Sequence, residues 1–332
     1  MGERILITGG SGFIGTHLID LLMSEENKWD IINIDKQKPL KEEHSVFWKE
    51  VNILDNERLS TIIKTFEPKY VVHLAANGGV TGTSLEDYID NTTGTQNVIE
   101  AVKNCTNTKR IIVTSSQVVC KPGYIPKSDT DFCPTIPYAE SKVITEKITR
   151  EANLSCEWII IRPSYIWGPY HPRNADEILK TIDKRWYIHP SGKPVIRSYG
   201  YVKNVAWQMH KLLTIEPDKV NKKVFYVSDM PIDFYNWVNA LSVKLTNHKV
   251  RVLPRQMLKL MALLGDIVSK VIGKPFYINS YRYYNMTQEN IIPINQTFDI
   301  LGTPPYTLEQ GVGETIAWVQ EKWIADNAIK ND

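Results

Sequence analysis

The stretch RILITGGSGFIG, residues 4–15, decides the fold. Arg4 to Thr8 reads as a short buried strand and Gly9 to Gly15 as a glycine turn. The apolar positions Leu18, Leu21 and Leu22 mark one face of the helix that follows. The glycines satisfy both Gly-x-x-Gly-x-x-Gly (Gly9, Gly12, Gly15) and Gly-x-Gly-x-x-Gly (Gly10, Gly12, Gly15). Such spacings allow a tight turn, close approach of the backbone to a pyrophosphate, and close helix packing. Phosphates would lie on the helix N-terminus, where free N–H groups and the helix dipole favour an anion. A second strand, 30–34, ends at Asp35, twenty residues beyond Gly15. A carboxylate there accepts hydrogen bonds from both hydroxyls of an adenine ribose and repels a 2′-phosphate, so NAD is expected rather than NADP. Lys36, next in the chain, softens that repulsion.

Outward from this turn, strand-like runs alternate with helical patterns as far as residue 162: VFWKE near 46, a helix from about Glu57, YVVHLA from Tyr70, a helix through Val98 and Val102, RIIVT from Arg110, a helix around Tyr138, and EWIIIR from Glu157. Alternation of this kind predicts an α/β fold, a Rossmann-type doubly wound parallel sheet covered on both faces. Beyond Arg162 the order breaks, with Pro163, Pro169, Pro172 and Pro190 punctuating shorter elements. KVFYVS from Lys223 and a helix from about Asp233 indicate a chain that returns to the main sheet. We therefore expect a dinucleotide-binding domain over 1–165, with returning elements near 196–245. A smaller C-terminal substrate-binding lobe is expected over most of 166–332.

Tyr138 and Lys142, in PYAESK, stand four residues apart on one helical face. A free phenol, with a pKa of about 10, is a poor base at neutral pH, and a fixed cation beside it favours the phenolate. The pair is therefore a candidate base for removing a proton from an alcohol.

Composition narrows the classes. Thirty-nine basic residues against thirty-seven acidic ones, with no sustained tract of either sign, leave no field to steer nucleic acid. Apolar residues at 42% fit a soluble globular chain. Cys105, Cys120, Cys133 and Cys156 form no Cys-x-x-Cys pair, which suits free thiols in a reducing cytosol, and no metal site is expected. A chain opening directly on a core strand leaves no room for a targeting peptide, and a cytoplasmic location is expected. Met257 to Ile272 is too short and too interrupted by charge to span a bilayer. Its apolar residues at 257, 260, 261, 264, 267, 268 and 271 fall on one helical face, predicted to pack inward in the second lobe with attachment to a membrane surface as the alternative, and no membrane partner is expected.

Together these motifs resemble the extended short-chain dehydrogenase/reductases, in particular the NAD-dependent epimerase/dehydratase family. ITGGSGFIGTHL resembles the family's opening, HLAA (His73 to Ala76) its loop after the fourth strand, and NTTGTQNVIEA from Asn91 its next helix. VTSSQVVC stands where the family has Ser-x-x-Val-Tyr-Gly, aligning Ser115 with the catalytic serine and Ser116 as the alternative. RPSYIWGP at 162–169 is similar to Arg-Pro-x-x-x-Tyr-Gly-Pro, IRSYGYV at 196–202 to Arg-x-Tyr-x-x-Val, and ILGTPPYTLEQGVGETIAW from Ile300 to the family's closing segment.

The resemblance implies roles residue by residue. Tyr138 takes the proton from a substrate hydroxyl or returns it, Ser115 hydrogen-bonds the reacting oxygen, and Lys142 holds the nicotinamide ribose and lowers the Tyr138 pKa. Besides Gly9, Gly12, Gly15 and Asp35, the cofactor is expected to meet Phe13, Ile14, Asn52 and Ile53. Leu74, Ala75, Ala76, Asn91 and Pro163 complete its expected contacts. Ser116, Tyr165, Arg197 and Arg282 are expected at the substrate, the two arginines because a planar guanidinium fork suits phosphate.

The implied substrate is a nucleotide-diphosphate sugar, oxidised or epimerised at a secondary hydroxyl, C4, by a homodimer built on the helices through Asn97–Val102 and Tyr138–Ile148. Ser115 is followed by Ser116 and Gln117 where dehydratases carry Asp-Glu, which speaks against 4,6-dehydration. Tyr165 stands where epimerases often have Asn, and Lys203-Asn204 replaces an acidic pair. PRQMLKLMALLGDIV resembles the 3β-hydroxysteroid dehydrogenase branch and leaves a hydrophobic alcohol as the alternative. A non-catalytic dinucleotide-sensing relative is a further one, although such proteins commonly lose the Tyr or the Lys.

Overall fold

A computed structural model describes residues 2–274 and 276–329. The alternating runs form β1 (Glu3–Thr8), α1 (Phe13–Met23), β2 (Trp29–Asp35), β3 (Trp48–Glu50), α2 (Asn56–Phe66) and β4 (Tyr70–His73). After them come α3 (Thr95–Lys103), β5 (Arg110–Thr114), α4 (Pro137–Glu151), β6 (Glu157–Pro163), α5 (Val202–Thr214) and β7 (Lys223–Val227). The seven strands make one sheet in the order β7-β6-β5-β4-β1-β2-β3, every neighbouring pair parallel. The expected doubly wound parallel sheet is thus observed. β3 is shorter than VFWKE suggests: Val46 and Phe47 close a 3₁₀ turn, Glu42–Phe47, and only Trp48 to Glu50 pair with β2.

By internal contacts the chain divides into two units. The first contains residues up to Ile166, Gly200–Asp229 and Ile292–Pro305, and holds the whole sheet. Ile5, Leu6, Val71, Val72, Ile111 and Ile112 are completely buried, as strands covered on both faces must be. Two buried arginines tie its layers together. From β5, Arg110 donates through Nη1 to the carbonyls of Leu212 (2.7 Å) and Leu213 (2.9 Å) and through Nη2 to Ile215 (2.8 Å). A cation there satisfies and electrostatically complements the open C-terminal carbonyls of α5, while Glu157 balances its charge.

From β6, Arg162 forms a two-pronged pair with Glu146 of α4, Nε to Oε1 at 2.8 Å and Nη2 to Oε2 at 2.9 Å. Tyr226 Oη and the Asp129 carbonyl take two further donors, and Ser115 Oγ donates to Glu146 Oε1 at 2.6 Å.

The second unit spans Trp167–Tyr199, Met230–Ile291 and the chain from Tyr306. Its aromatic core stacks Tyr199 on Trp237, ring centroids 4.7 Å apart, with Trp167 edge-on to Trp237 at 5.8 Å. The Arg255–Ile272 helix departs from expectation. It buries Leu258, Ala262 and Gly265, and the predicted inward stripe, Leu260, Leu264, Ile267 and Val271 among it, is exposed. Close approach explains the choice of face: a Cβ on Gly265 would lie 1.7 Å from the Ile278 carbonyl oxygen, so the small-residue side alone can sit against that backbone.

Glu146→Gln keeps the shape and removes the charge opposite a fully buried guanidinium. Chemical denaturation should show a loss of about 3 kcal/mol or more, as for other buried pairs deprived of one partner. Ser115→Ala should cost about 1 kcal/mol, the scale of one hydrogen bond.

Candidate functional site

The order of the sheet reverses between β1 and β4, and crevices at such points, beyond the carboxyl ends of parallel strands, hold dinucleotides. Here the glycine turn leaves β1. Gly9 has φ +77°, and a Cβ on it would stand 2.5 Å from the Ala75 nitrogen. A Cβ on Gly15 would stand 2.5 Å from Gly10 Cα. Both must lack side chains for the turn to nestle against the loop after β4 and for α1 to start where it does. Ser11 N donates to Asp35 Oδ2 at 3.1 Å and Asn33 Nδ2 to Ser11 Oγ at 3.0 Å, fixing the turn to β2.

A cleft of about 600 Å³ opens here. Gly9, Gly12, Asp35, Asn52, Ile53, Leu74, Ala75 and Ala76, all named from sequence, line it together with Lys36 and Asp90. Partial burial holds the Asp35 carboxyl above its ordinary range, opposed by the N–H groups of Gln37 and Ser11. Lys36 is drawn away by an ion pair with Asp90, Nζ to Oδ2 at 2.7 Å, so its softening effect on Asp35 is weakened. A glycine cradle, a helix N-terminus and a carboxylate fit NAD, whose pyrophosphate would lie over Gly9–Gly15 and whose adenine ribose would meet Asp35.

The other residues expected at the cofactor surround this cleft's elements. Phe13 and Ile14 begin α1, and Pro163 is buried at the end of β6. Asn91 is also buried: its Oδ1 accepts from Asn77 N (2.7 Å), and its Nδ2 donates to Asn77 O (3.1 Å) and Ser141 Oγ (2.9 Å). That side chain ties the loop after β4 to α4. His73, locked between Thr8 Oγ1 (2.7 Å) and Thr95 Oγ1 (3.0 Å), is held neutral by burial, its pKa pushed down to about 3.

At the end of β5 the structure sorts the two serines. Ser115 points into the Glu146–Arg162 cluster, whereas the Ser116 side chain lies near enough to the Tyr138 phenol to favour its ionised form. Sequence reasoning placed Ser115 first. Ser-x-x-Val fits both serines, ending on Val118 from Ser115 and on Val119 from Ser116, so that spacing does not choose between them. Burial pushes the Tyr138 phenol above its ordinary value, with Ser116 pulling the other way; its ring lies against Tyr88, centroids 5.7 Å apart. Lys142, one turn on, donates from Nζ to the Thr114 carbonyl at 3.0 Å. Burial pushes its pKa down to about 8, partly offset by the Glu146 charge.

Of the expected substrate residues, Tyr165 is partly exposed just beyond β6. Arg197 is heavily engaged in its own unit: Nε on the Gln288 carbonyl (3.1 Å), Nη2 on the Asn285 carbonyl, Nη1 on Tyr199 Oη (3.2 Å), and the guanidinium 4.5 Å above the Phe234 ring. Arg282 lies over Tyr277 at 4.9 Å. The substitution at Lys203-Asn204 finds a physical reason in the first unit. Asn204 Nδ2 donates to Asp229 Oδ1 at 2.8 Å and Tyr201 N to Oδ2 at 2.7 Å, and burial raises that carboxyl to about 6. An acid at 204 would repel it.

A crevice built in this way, with a phenol, a lysine and a serine gathered at the end of β5, defines a dinucleotide-dependent enzyme of the Rossmann type. More narrowly, residues 5–227 match the model of the NAD dependent epimerase/dehydratase family, and the chain belongs to that family; its cofactor is NAD. It is 27% identical to N-acetyl-alpha-D-glucosaminyl-diphospho-ditrans,octacis-undecaprenol 4-epimerase of Escherichia coli O157:H7, over 96% of each chain. It is also 27% identical to a decarboxylating sterol-4-alpha-carboxylate 3-dehydrogenase of Saccharomyces cerevisiae, over 96% of this chain and 98% of that one. Among solved structures, UDP-glucuronic acid 4-epimerase from Bacillus cereus, in complex with UDP-glucuronic acid and NAD, shares the fold. That likeness has a TM-score of 0.72 at 17% identity, over 96% of this chain and 99% of that one.

Two measurements check the site. NAD(H) should bind about tenfold or more tighter than NADP(H) in titration calorimetry, and Asp35→Ala should narrow the gap by removing the ribose contacts together with the repulsion. For Lys142, the unfolded chain binds a proton between about pH 8 and the ordinary lysine value of 10.5 that the folded chain has lost. Folding stability, measured against Lys142→Met at each pH, should therefore rise as pH increases through that window and stay level below it.

Proposed function

We propose that the enzyme is an NAD-dependent epimerase or dehydrogenase acting at a secondary hydroxyl, C4, of a sugar carried on a diphosphate. The observation that carries this reading is the gathering of Ser116, Tyr138 and Lys142 at the end of β5, Ser116 beside the phenol and Lys142 one helical turn away. NAD, when bound, accepts a hydride from the carbinol carbon and can return it. Tyr138 takes the hydroxyl proton as the carbonyl forms and gives it back on reduction. Ser116, rather than Ser115, hydrogen-bonds the reacting oxygen, since Ser115 is committed to Glu146. Lys142 supplies positive charge beside the phenol and so favours the phenolate. The first unit holds the cofactor and the second receives the sugar. An epimerase lets the keto sugar turn before reduction on its other face, and a dehydrogenase releases it. Gln117 and Val118, which follow Ser116, carry no carboxyl group for water elimination.

The 4-epimerases among the relatives support C4, and their names place the sugar on a diphosphate carrier: undecaprenol in one, uridine in the other. A nucleoside carrier was the expectation from sequence. Arg197, the arginine expected at its pyrophosphate, donates to the protein's own carbonyls, so the proposal names a diphosphate and leaves the nucleoside out. A second reading, a sterol-like alcohol, is favoured by the sterol dehydrogenase that aligns with nearly the whole chain. A homodimer through α3 and α4 remains part of the proposal.

Turnover should separate the candidates. Tyr138→Phe should lower kcat by about a hundredfold or more, and Ser116→Ala should cost more than Ser115→Ala once the folded fraction is matched. The assay compares UDP-N-acetylglucosamine, polyprenyl-diphosphate N-acetylglucosamine and a 3β-hydroxysterol, each with NAD. Conversion of the sterol alone would overturn the diphosphate-sugar reading.

A further inference from the structure

The Arg255–Ile272 helix leaves its larger apolar side chains in solvent. Leu260 is 60% exposed, Leu264 54%, Ile267 60% and Val271 82%, whereas its packed face is made of Leu258, Ala262 and Gly265. At ~100° per residue the exposed apolar positions, from Leu263 round to Ile272, fill roughly half the circumference of the helix. A continuous apolar face of this breadth exceeds the scattered exposure usual on a soluble surface and marks a contact with another apolar phase.

Charge identifies the phase. From Lys249 to Arg282, seven lysines and arginines stand against one acid, Asp266, in a chain otherwise nearly neutral. Lys259 and Lys270 project from the margin of the apolar arc on one side, by the same rotation per residue. The neighbouring Ser280–Thr287 helix, packed against it, exposes Tyr281 (75%) and Tyr284 (59%). Apolar residues bordered by cations, with tyrosines at the same surface, suit the boundary of an anionic bilayer, where acyl chains and headgroups lie side by side. A second copy fits poorly. A two-fold interface would set this basic surface against itself, and like charges facing one another oppose association.

We propose that this face lies on an anionic membrane surface and docks the enzyme there peripherally. Among the described residues no helix is long and apolar enough to cross a membrane, so the contact is interfacial. It revises the expectation of no membrane partner at this one surface, and it holds whichever carrier the substrate has.

The test uses the full chain and sedimentation with two kinds of vesicle, phosphatidylcholine alone and phosphatidylcholine mixed with phosphatidylglycerol. The unmodified protein should sediment with the anionic vesicles and more weakly with the neutral ones. Leu260→Gln with Ile267→Gln should weaken vesicle binding by about tenfold or more, and Lys259→Glu with Lys270→Glu should abolish the preference for anionic lipid. Ile324→Gln, at an exposed isoleucine on the Leu308–Ile329 helix, should change nothing. Unchanged melting temperatures would show that the exposed substitutions leave the fold intact. No sedimentation of the unmodified protein, or equal sedimentation of the Leu260/Ile267 variant, would overturn the proposal. So would an oligomer that the same variant dissociates in light scattering while vesicles bind neither form, since that result assigns the face to a second copy.

Discussion

The pair between Glu146 and Arg162 sets the conditions for the rest of the site. Two ions removed from water are tolerated only if nearly every lone pair and proton between them is used. Here Ser115, Tyr226 and the Asp129 carbonyl complete the set. The pair clamps α4 to β6 in a fixed rotation, and that rotation brings Tyr138 to Ser116 and Lys142 to the end of β5. It also divides the labour of two adjacent serines. Successive residues of an extended chain point opposite ways, so when one hydroxyl serves the buried carboxylate its neighbour is directed elsewhere. Here that neighbour meets the phenol.

Much of this was legible in the sequence because the signals are local. A buried parallel strand is a short apolar run, and the glycine turn is a chain of steric requirements that only glycine meets. Asp35 is found simply by counting. The choice between Ser115 and Ser116 was not legible, since each has a valine three residues on, and only their neighbours in space, Glu146 for one and Tyr138 for the other, set them apart. Arg197 shows a different limit: a guanidinium suits phosphate, but it suits carbonyl oxygens equally, and those it meets belong to residues about ninety positions further on. Periodicity misled for the Arg255–Ile272 helix. A stripe every three or four residues reports that a face is apolar without saying what covers it. The decisive residues were the small ones, Ala262 and Gly265, on the other side.

Electrostatics at the site run against burial throughout. Burial raises the Tyr138 phenol and lowers Lys142, so the protein alone holds its base in the protonated form and leaves its cation easier to discharge than a free lysine. The site is poised for a partner that brings compensating groups, a common arrangement where pKa values must be matched to a reaction.

The fixing of Arg110 to the last carbonyls of α5 has a consequence for how the chain is made. When a ribosome has released residues up to Ile166, six strands of the sheet exist, but β6 still lacks its outer neighbour. The guanidinium of Arg110 then has Glu157 and none of the carbonyls from Leu212 to Ile215. An open strand edge beside a half-satisfied buried cation is an aggregation hazard. The nascent domain must wait for some sixty further residues of synthesis, the first of them, Trp167–Tyr199, belonging to the other unit, before α5 and β7 close it. The two units are interleaved in time as well as in sequence, and a gene fragment cut at the end of the sixth strand encodes an unfinished protein.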